Sequence, residues 1–468
     1  MDQIQVFFSS LFSLNFAKAF EVGVGLVWGL PLVILLVGCG LLSTLLLRGI
    51  QIRGFWHAIQ VVRGKFDDPN EPGEISHFQA LCTALSATVG LGNIAGVAVA
   101  IKVGGPGATF WMILVGLLGM ALKFSECSLG LMYRRIDKDG RVHGGPMHYI
   151  ERGLGPKWKP MAFFFAFACI CSSLGAANMF QANQVASILN TNFGIPALGT
   201  GIVLAIMTFV VIIGGIKSIG SVTSKLVPFM GAIYVIAALF VIIKNISLVP
   251  GLFGQIFTDA FTGTAAVGGF VGVTFRTVLV QGVRRACFSN EAGMGSAPIA
   301  HAAAATSEPI REGVVALLEP FVDTVVICTM TALVILLSGA WQLPDITGVE
   351  LTALAFDSAI PGFGQYFVPV AVFLFAYSTL LSWSYYGEQA TAYLCSKKAK
   401  LGIKIYKVIF CLAIIVGAVN AIHTVLNFSD MMLGLMVVPN VIAVILLFPK
   451  LRAETKKYFD KLNAGKFA

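Results

Sequence analysis

FQALCTALSATVGLGNIAGVA, residues 78–98, and FSNEAGMGSAPIAHAAA, residues 288–304, are the two stretches that decide the fold. Each belongs to an apolar run long enough to cross a bilayer, and each run is interrupted. In the first, residues 88–96 (TVGLGNIAG) put three glycines and Asn93 near mid-membrane. In the second, residues 288–298 (FSNEAGMGSAP) are polar, glycine-rich and closed by Pro298. A broken helix frees carbonyls at one half-helix end and N–H groups at the other. In hydrocarbon such groups persist only around a cavity or ligand. Carbonyls suit Na⁺, and N–H groups at a positive dipole end suit a carboxylate. Close helix packing through small residues would explain one glycine pair equally well. Two breaks at corresponding places favour a binding site.

Working outward, 57% of the 468 residues are hydrophobic and 12% are charged. A soluble domain carries about 25% charged residues, so lipid is the solvent for most of this surface. Eleven apolar runs approach the ~20 residues that a span requires: 22–47, 78–102, 107–132, 161–189, 198–215, 226–243, 268–302, 313–339, 364–394, 403–420 and 424–449. They lack the alternation of membrane-barrel strands. The net charge of +9 is better explained by topology than by nucleic acid. The loops on one side hold 25 Lys and Arg residues and those on the other hold three, which puts the N-terminus outside and the C-terminus in the cytoplasm. Nine cysteines, mostly in apolar segments, read as buried fillers without disulfides. Residues 1–20 show no cleavable signal pattern.

The first run is followed by a basic amphipathic linker, 48–65, expected at the cytoplasmic interface with Phe55 and Trp56 toward lipid. Setting the first run aside leaves ten, which divide into two inverted halves of five. The expected divisions are 1–77 (first helix and linker), 78–245 (first repeat), 246–450 (extracellular segment and second repeat) and 451–468 (basic tail).

With these motifs in place, the sequence resembles the alanine/glycine:cation symporter family (sodium:alanine symporters). The resemblance rests on residues 78–98, GGPGATFWM (104–112), HGGPMHYI (143–150), GGIKSIG (214–220), residues 288–304 and FAYSTLLSWSYYGE (375–388). One departure is Ile113, where the family usually has a second Trp. The resemblance implies an all-α integral membrane protein of the LeuT type with one extra N-terminal helix, in the cell inner membrane. It also implies Na⁺, less often H⁺, as the coupling ion and a small neutral amino acid as cargo, alanine or glycine first. Glutamine and serine remain open. Carried over residue by residue, it implies Na⁺ binding by the carbonyls of Ser86 and Val89 and the hydroxyls of Ser378 and Thr379. The substrate site would comprise Asn93, the backbone of Gly90 and Gly92, Phe288, Ser289, Asn290 and Trp383. The two aromatic residues would limit side-chain size.

Other polar residues within the runs stand open. Asn178 and Gln181 share a helix face, serving either the substrate or an interhelical hydrogen bond. Lys123 and Glu126, spaced i, i+3, are expected to pair. Glu291 is expected to pair with Arg284 or Arg285. Glu319 and Asp323 share a face and are candidate gate or coupling groups. Glu388 reads as a capping or snorkelling residue, and His301 as a packing histidine. The competing classes are an intramembrane enzyme and a channel. The first lacks an HExxH, GxSxG or paired-aspartate motif, and the second would show rings in a symmetric oligomer rather than two halves in one chain.

Overall fold

The computed structural model describes residues 15–68, 70–262, 274–420 and 423–467. The first residues of the run expected at 268–302, and most of the segment read for a signal peptide, lie outside them. Among the described residues everything regular is helical except one small hairpin, Arg135–Ile136 paired with Val142–His143.

The helices that matter for the site follow in chain order. Helix α1, Phe16–Leu46, is interrupted at Trp28 and Gly29, and α2, Phe55–Val62, lies in the linker. The first broken run becomes α3, His77–Thr88, and α4, Gly92–Gly104, inclined at 49°. They are followed by α5, Gly107–Met132, α6, Pro146–Leu154, α7, Pro156–Phe193, α8, Ala197–Ile212, and α9, Gly215–Lys244. Helix α10, Val249–Thr262, precedes the second broken run, which becomes α11, Phe275–Asn290, and α12, Ala297–His301. The remainder are α13, Pro309–Ser338, α14, Gly348–Ala359, α15, Phe363–Cys395, α16, Ala399–Val419, and α17, His423–Asn463. Among the described residues, seven helical stretches pass the length and apolarity expected of a span, and the bent pair α3–α4 makes an eighth.

Local chemistry sets the ends of the broken helices. At the start of α3, Ser76 Oγ accepts from the Gln79 N–H (3.2 Å) and Gln79 Oε1 accepts from the Ser76 N–H (3.1 Å). Such a capping box typically stabilises by about 1 kcal/mol. The helix ends at Val89, where the chain turns through Gly90. Helix α11 ends at Glu291, in the left-handed region at φ 56°. Gly293 and Gly295 continue at φ 86° and 79°, which a side chain would disfavour, and Pro298 then falls in the first turn of α12. The freed backbone is satisfied by side chains. The Gly293 N–H donates to Glu126 (3.0 Å), and Asn440 Nδ2 donates to the Gly293 carbonyl (2.8 Å) and to Glu126 (2.7 Å).

Several expected pairings differ. Lys123 pairs with Glu319 at 3.0 Å, because Glu126 is turned toward the second break. Glu291 bonds to Trp383 and Ser296 rather than to Arg284 or Arg285. Glu388 is in an ion pair with Lys407 at 3.0 Å. Trp56 is 74% exposed, as expected for a lipid contact. Phe55 instead packs edge-on against Phe321 at 5.0 Å, since neighbours on a helix point about 100° apart. Large apolar side chains such as Ile34, Val210 and Ile236 face outward, as lipid-covered helices require.

Candidate functional site

The two breaks meet around one cavity of about 30 Å³, above the roughly 10–15 Å³ that one ordered water needs. Of the residues expected at the substrate site, Gly90, Gly92, Gln181, Phe288 and Trp383 line it. Ala176, Ala177 and Leu433 add apolar wall, and Glu291 adds a carboxylate. Gln181 reaches the cavity where α7 opens into a π turn at Gly175–Met179. Its Nε2 donates to the Ala176 carbonyl at 3.4 Å, and its Oε1 is buried with no hydrogen-bond partner among the described residues. A buried amide oxygen without a partner costs free energy, so this atom is suited to a ligand donor. Trp383 Nε1 donates to Glu291 Oε1 at 2.9 Å, which fixes the indole against the cavity.

Asn93, Asn178, Ser289 and Asn290 do not line this cavity. Asn93 faces away and joins the breaks together. Its Nδ2 donates to Asp323 Oδ1 at 2.6 Å, its Oδ1 accepts from the Gly90 N–H at 2.8 Å, and Ser289 Oγ donates to the same Asp323 oxygen at 3.1 Å. Asn290 Nδ2 donates to Thr324 Oγ1 at 2.9 Å, and Thr324 Oγ1 donates to Asp323 Oδ2 at 2.7 Å. Asp323 thus staples both breaks to α13. Asn178 takes the interhelical role, donating to the Phe410 carbonyl at 2.8 Å.

A second oxygen-rich place adjoins the cavity where α3 ends against α15. Ser378 Oγ and Thr379 Oγ1 lie 3.2 and 3.3 Å from the Ser86 carbonyl oxygen, and Ser86 Oγ donates to the Ser378 carbonyl at 2.6 Å. Val89 caps α3 immediately beyond. The approach is close: a Cβ on Gly90 would lie 2.6 Å from Thr379 Oγ1. Uncharged carbonyl and hydroxyl oxygens are the donor set that a hard cation takes, so three of the four residues expected for sodium are gathered here.

A larger cavity of about 160 Å³ adjoins the first and shares Leu91 and Phe288 with it. Arg285 and Asp430 are the charged residues in its lining. Phe288 and Leu91 therefore stand between the two spaces.

Glu291 is the site residue that sequence reasoning misplaced. An acid inside an interrupted apolar run was the available signal, and the nearby arginines drew it away. Arg284 instead lies over Trp28 at 5.8 Å.

Comparison with known proteins bears on family and fold. The family described as "Sodium:alanine symporter family" matches residues 14–468. The sodium/alanine symporter AgcS of Methanococcus maripaludis is 44% identical over 437 residues, 92% of this chain and 95% of that protein. The probable sodium/glutamine symporter GlnT of Bacillus subtilis is 36% identical, covering 94% of this chain and 90% of that protein. The crystal structure of MhsT in complex with L-phenylalanine superposes with a TM-score of 0.52 at 14% identity, over 82% of this chain and all of that one. That likeness bears on fold alone and shows the LeuT-type arrangement.

Proposed function

The chain belongs to the sodium:alanine symporter family, and from that membership we propose that it carries a small neutral amino acid, alanine or glycine first, into the cell together with Na⁺. The observation that carries the reading is the pair of broken helices bounding one small cavity beside the Ser86, Ser378 and Thr379 oxygens. Sodium is bound by the Ser86 carbonyl and the two hydroxyls, with Val89 contributing its carbonyl. The amino acid lies against Gly90 and Gly92, its carboxylate toward the positive end of α4, and its ammonium group donates to Gln181 Oε1. Trp383 and Phe288 close the cavity over a short side chain. A pocket that selects by shape alone discriminates by roughly 1–3 kcal/mol per methylene. That ceiling leaves glutamine, the cargo for which GlnT is named, as the second substrate to test.

In the proposed topology eleven spans carry the N-terminus outside and the C-terminus in the cytoplasm, supported by the 25-to-3 partition of basic residues and by the positive-inside bias. The core divides at 78–245 and 246–450, after the first helix and linker and before the basic tail. The cavity beside Arg285 then faces outward, and Phe288 gates the passage from it. Asn93, Ser289 and Asn290 act through Asp323, holding the breaks in place rather than touching cargo.

The test is uptake into proteoliposomes. Labelled alanine should accumulate when sodium is high outside and low inside, and collapse when the gradient is removed. Accumulation that ignores sodium and follows a proton gradient would replace the coupling ion. Equal flux without any gradient would make the protein a uniporter or channel.

A further inference from the structure

A chain of buried titratable side chains runs from the cytoplasmic end of α3 toward the second break, and sodium-coupled symport uses none of it. His77, Lys123, His301, Glu312 and Glu319 are each no more than 1% exposed. Lys123 Nζ lies 3.0 Å from Glu319 Oε2, and His301 Nε2 lies 2.6 Å from Glu319 Oε1. His301 Nδ1 lies 2.5 Å from Glu312 Oε1, and His77 Nδ1 bonds to Glu312 Oε2. The remaining ring nitrogen, His77 Nε2, has no hydrogen-bond partner among the described residues and sits 4.0 Å from Asp67, whose side chain is 45% exposed.

Hydrogen counting gives this arrangement its meaning. Three imidazole nitrogens face carboxylate oxygens. An ionised carboxylate supplies no hydrogen, and a neutral imidazole supplies one. Two neutral histidines therefore leave one contact with two lone pairs opposed at hydrogen-bond distance. One extra proton removes the conflict. With it, Lys123 and one imidazolium balance Glu312 and Glu319, and the buried cluster is neutral, as burial of charge demands.

The surrounding groups do not supply that hydrogen. Glu126 is held by Gly293 and Asn440, and Glu291 by Trp383 and Ser296. Arg134 donates to the carbonyls of Ala302, Ala304, Pro72 and Thr306. From α15, the Tyr386 hydroxyl is buried without a hydrogen-bond partner among the described residues. From α5, the Cys127 thiol lies beside His301 and Glu319 and is only a weak donor.

We propose that the chain His77–Glu312–His301–Glu319–Lys123 is a proton-binding site that holds one exchangeable proton and communicates with the cytoplasmic face through His77 and Asp67. A proton arriving at His77 Nε2 releases the one on Nδ1 to Glu312, whose other oxygen faces His301. The cluster joins α3 and α12, which adjoin the two breaks, to α5 and α13. A bound proton holds these helices together. Its release sets a carboxylate against a lone pair between α12 and α13 and favours their separation. The link from proton release to transport rests on the symport reading and its topology, whereas proton binding itself does not.

The experiment uses the full-length protein with ¹⁵N-labelled histidine in detergent micelles. His301 is assigned by the signal lost in His301→Gln, or, if that variant does not fold, by the shift caused by Glu319→Gln, whose carboxylate faces His301 and not His77. Expected is an imidazolium with both nitrogens protonated that loses one proton as pH is raised through a window spanning the ordinary histidine range, about pH 5 to 8. A neutral single-tautomer imidazole throughout that window overturns the proposal. In proteoliposomes, sodium-driven alanine uptake by the wild type should change with internal pH, and Glu312→Gln should flatten that dependence while sodium is still required. A wild-type rate indifferent to internal pH removes the link to transport. Absence of any sodium-driven uptake would instead fault the symport reading, and the histidine titration would still be readable.

Discussion

Gly90→Ala tests the ion site through its tightest approach. The new Cβ would lie 2.6 Å from Thr379 Oγ1, while the next atom, Thr379 Cβ, is 3.8 Å away. The backbone around it has room, so the hydroxyl is what must move. Rotating it away takes Thr379 Oγ1 from its place 3.3 Å from the Ser86 carbonyl and removes one oxygen from the proposed sodium shell. A hydrogen-bond-strength interaction with a charged group is worth about 1.5–3 kcal/mol. At 1.4 kcal/mol per tenfold, that is a rise of roughly 10- to 150-fold in the sodium concentration for half-maximal uptake. Thr379→Ala removes the same oxygen without the clash and should give a similar shift. The double variant should be little worse than either single one, because both act on one atom. The assay is sodium activation of labelled alanine uptake, with surface expression measured in parallel. Wild-type sodium dependence in Gly90→Ala, or strictly additive losses in the double variant, would refute the assignment.

Gln181→Ala should raise the KM for alanine about tenfold, the cost of one hydrogen bond to a charged group, with sodium dependence kept; a change in sodium dependence alone would move Gln181 out of the substrate site. Trp383→Leu should widen selectivity, admitting larger neutral side chains in a competition panel, and unchanged selectivity would show that the indole does not limit the cavity. Asp323→Ala should reduce transport strongly, since it removes the Oδ1 that accepts from both Asn93 and Ser289; full activity would mean that the staple is dispensable. In the linker, burial, with Arg311 and Lys65 nearby, pushes the His57 imidazole down to about 4. Its folded form therefore binds fewer protons than its unfolded form below the ordinary histidine value. Stability should fall as pH drops from about 6.5 toward 4, and His57→Gln should flatten that decline in a thermal-unfolding series.

The breaks were legible because they violate a strong rule: glycine, asparagine and proline do not cluster inside a lipid-facing helix without a reason. The gathering of Ser86, Ser378 and Thr379 followed from the family resemblance and not from spacing, since nearly three hundred positions of chain separate the partners. Side-chain direction was the part that sequence could not supply. Asn93 and Gln181 are both amides beside helix interruptions. Only the π turns at Gly92–Gly96 and Gly175–Met179 decide that the first faces Asp323 and the second faces the cavity. Intramembrane charges failed for a similar reason. Spacing along one helix offered Glu126 to Lys123, but Glu319 lay across the bundle, and Gly293 had a stronger claim on Glu126. The hairpin at 135–143 left no alternation long enough to read.

In the proposed mechanism both interrupted helices hold the ion and its cargo together. An experimental structure of the protein with sodium and alanine tests it most directly. Expected are alanine between Gly90, Gly92 and Trp383 with its ammonium on Gln181, and a sodium ion bridging the Ser86 carbonyl to Ser378 and Thr379. Alanine bound elsewhere, or either interrupted run wound into a continuous helix with no space between them, would contradict it.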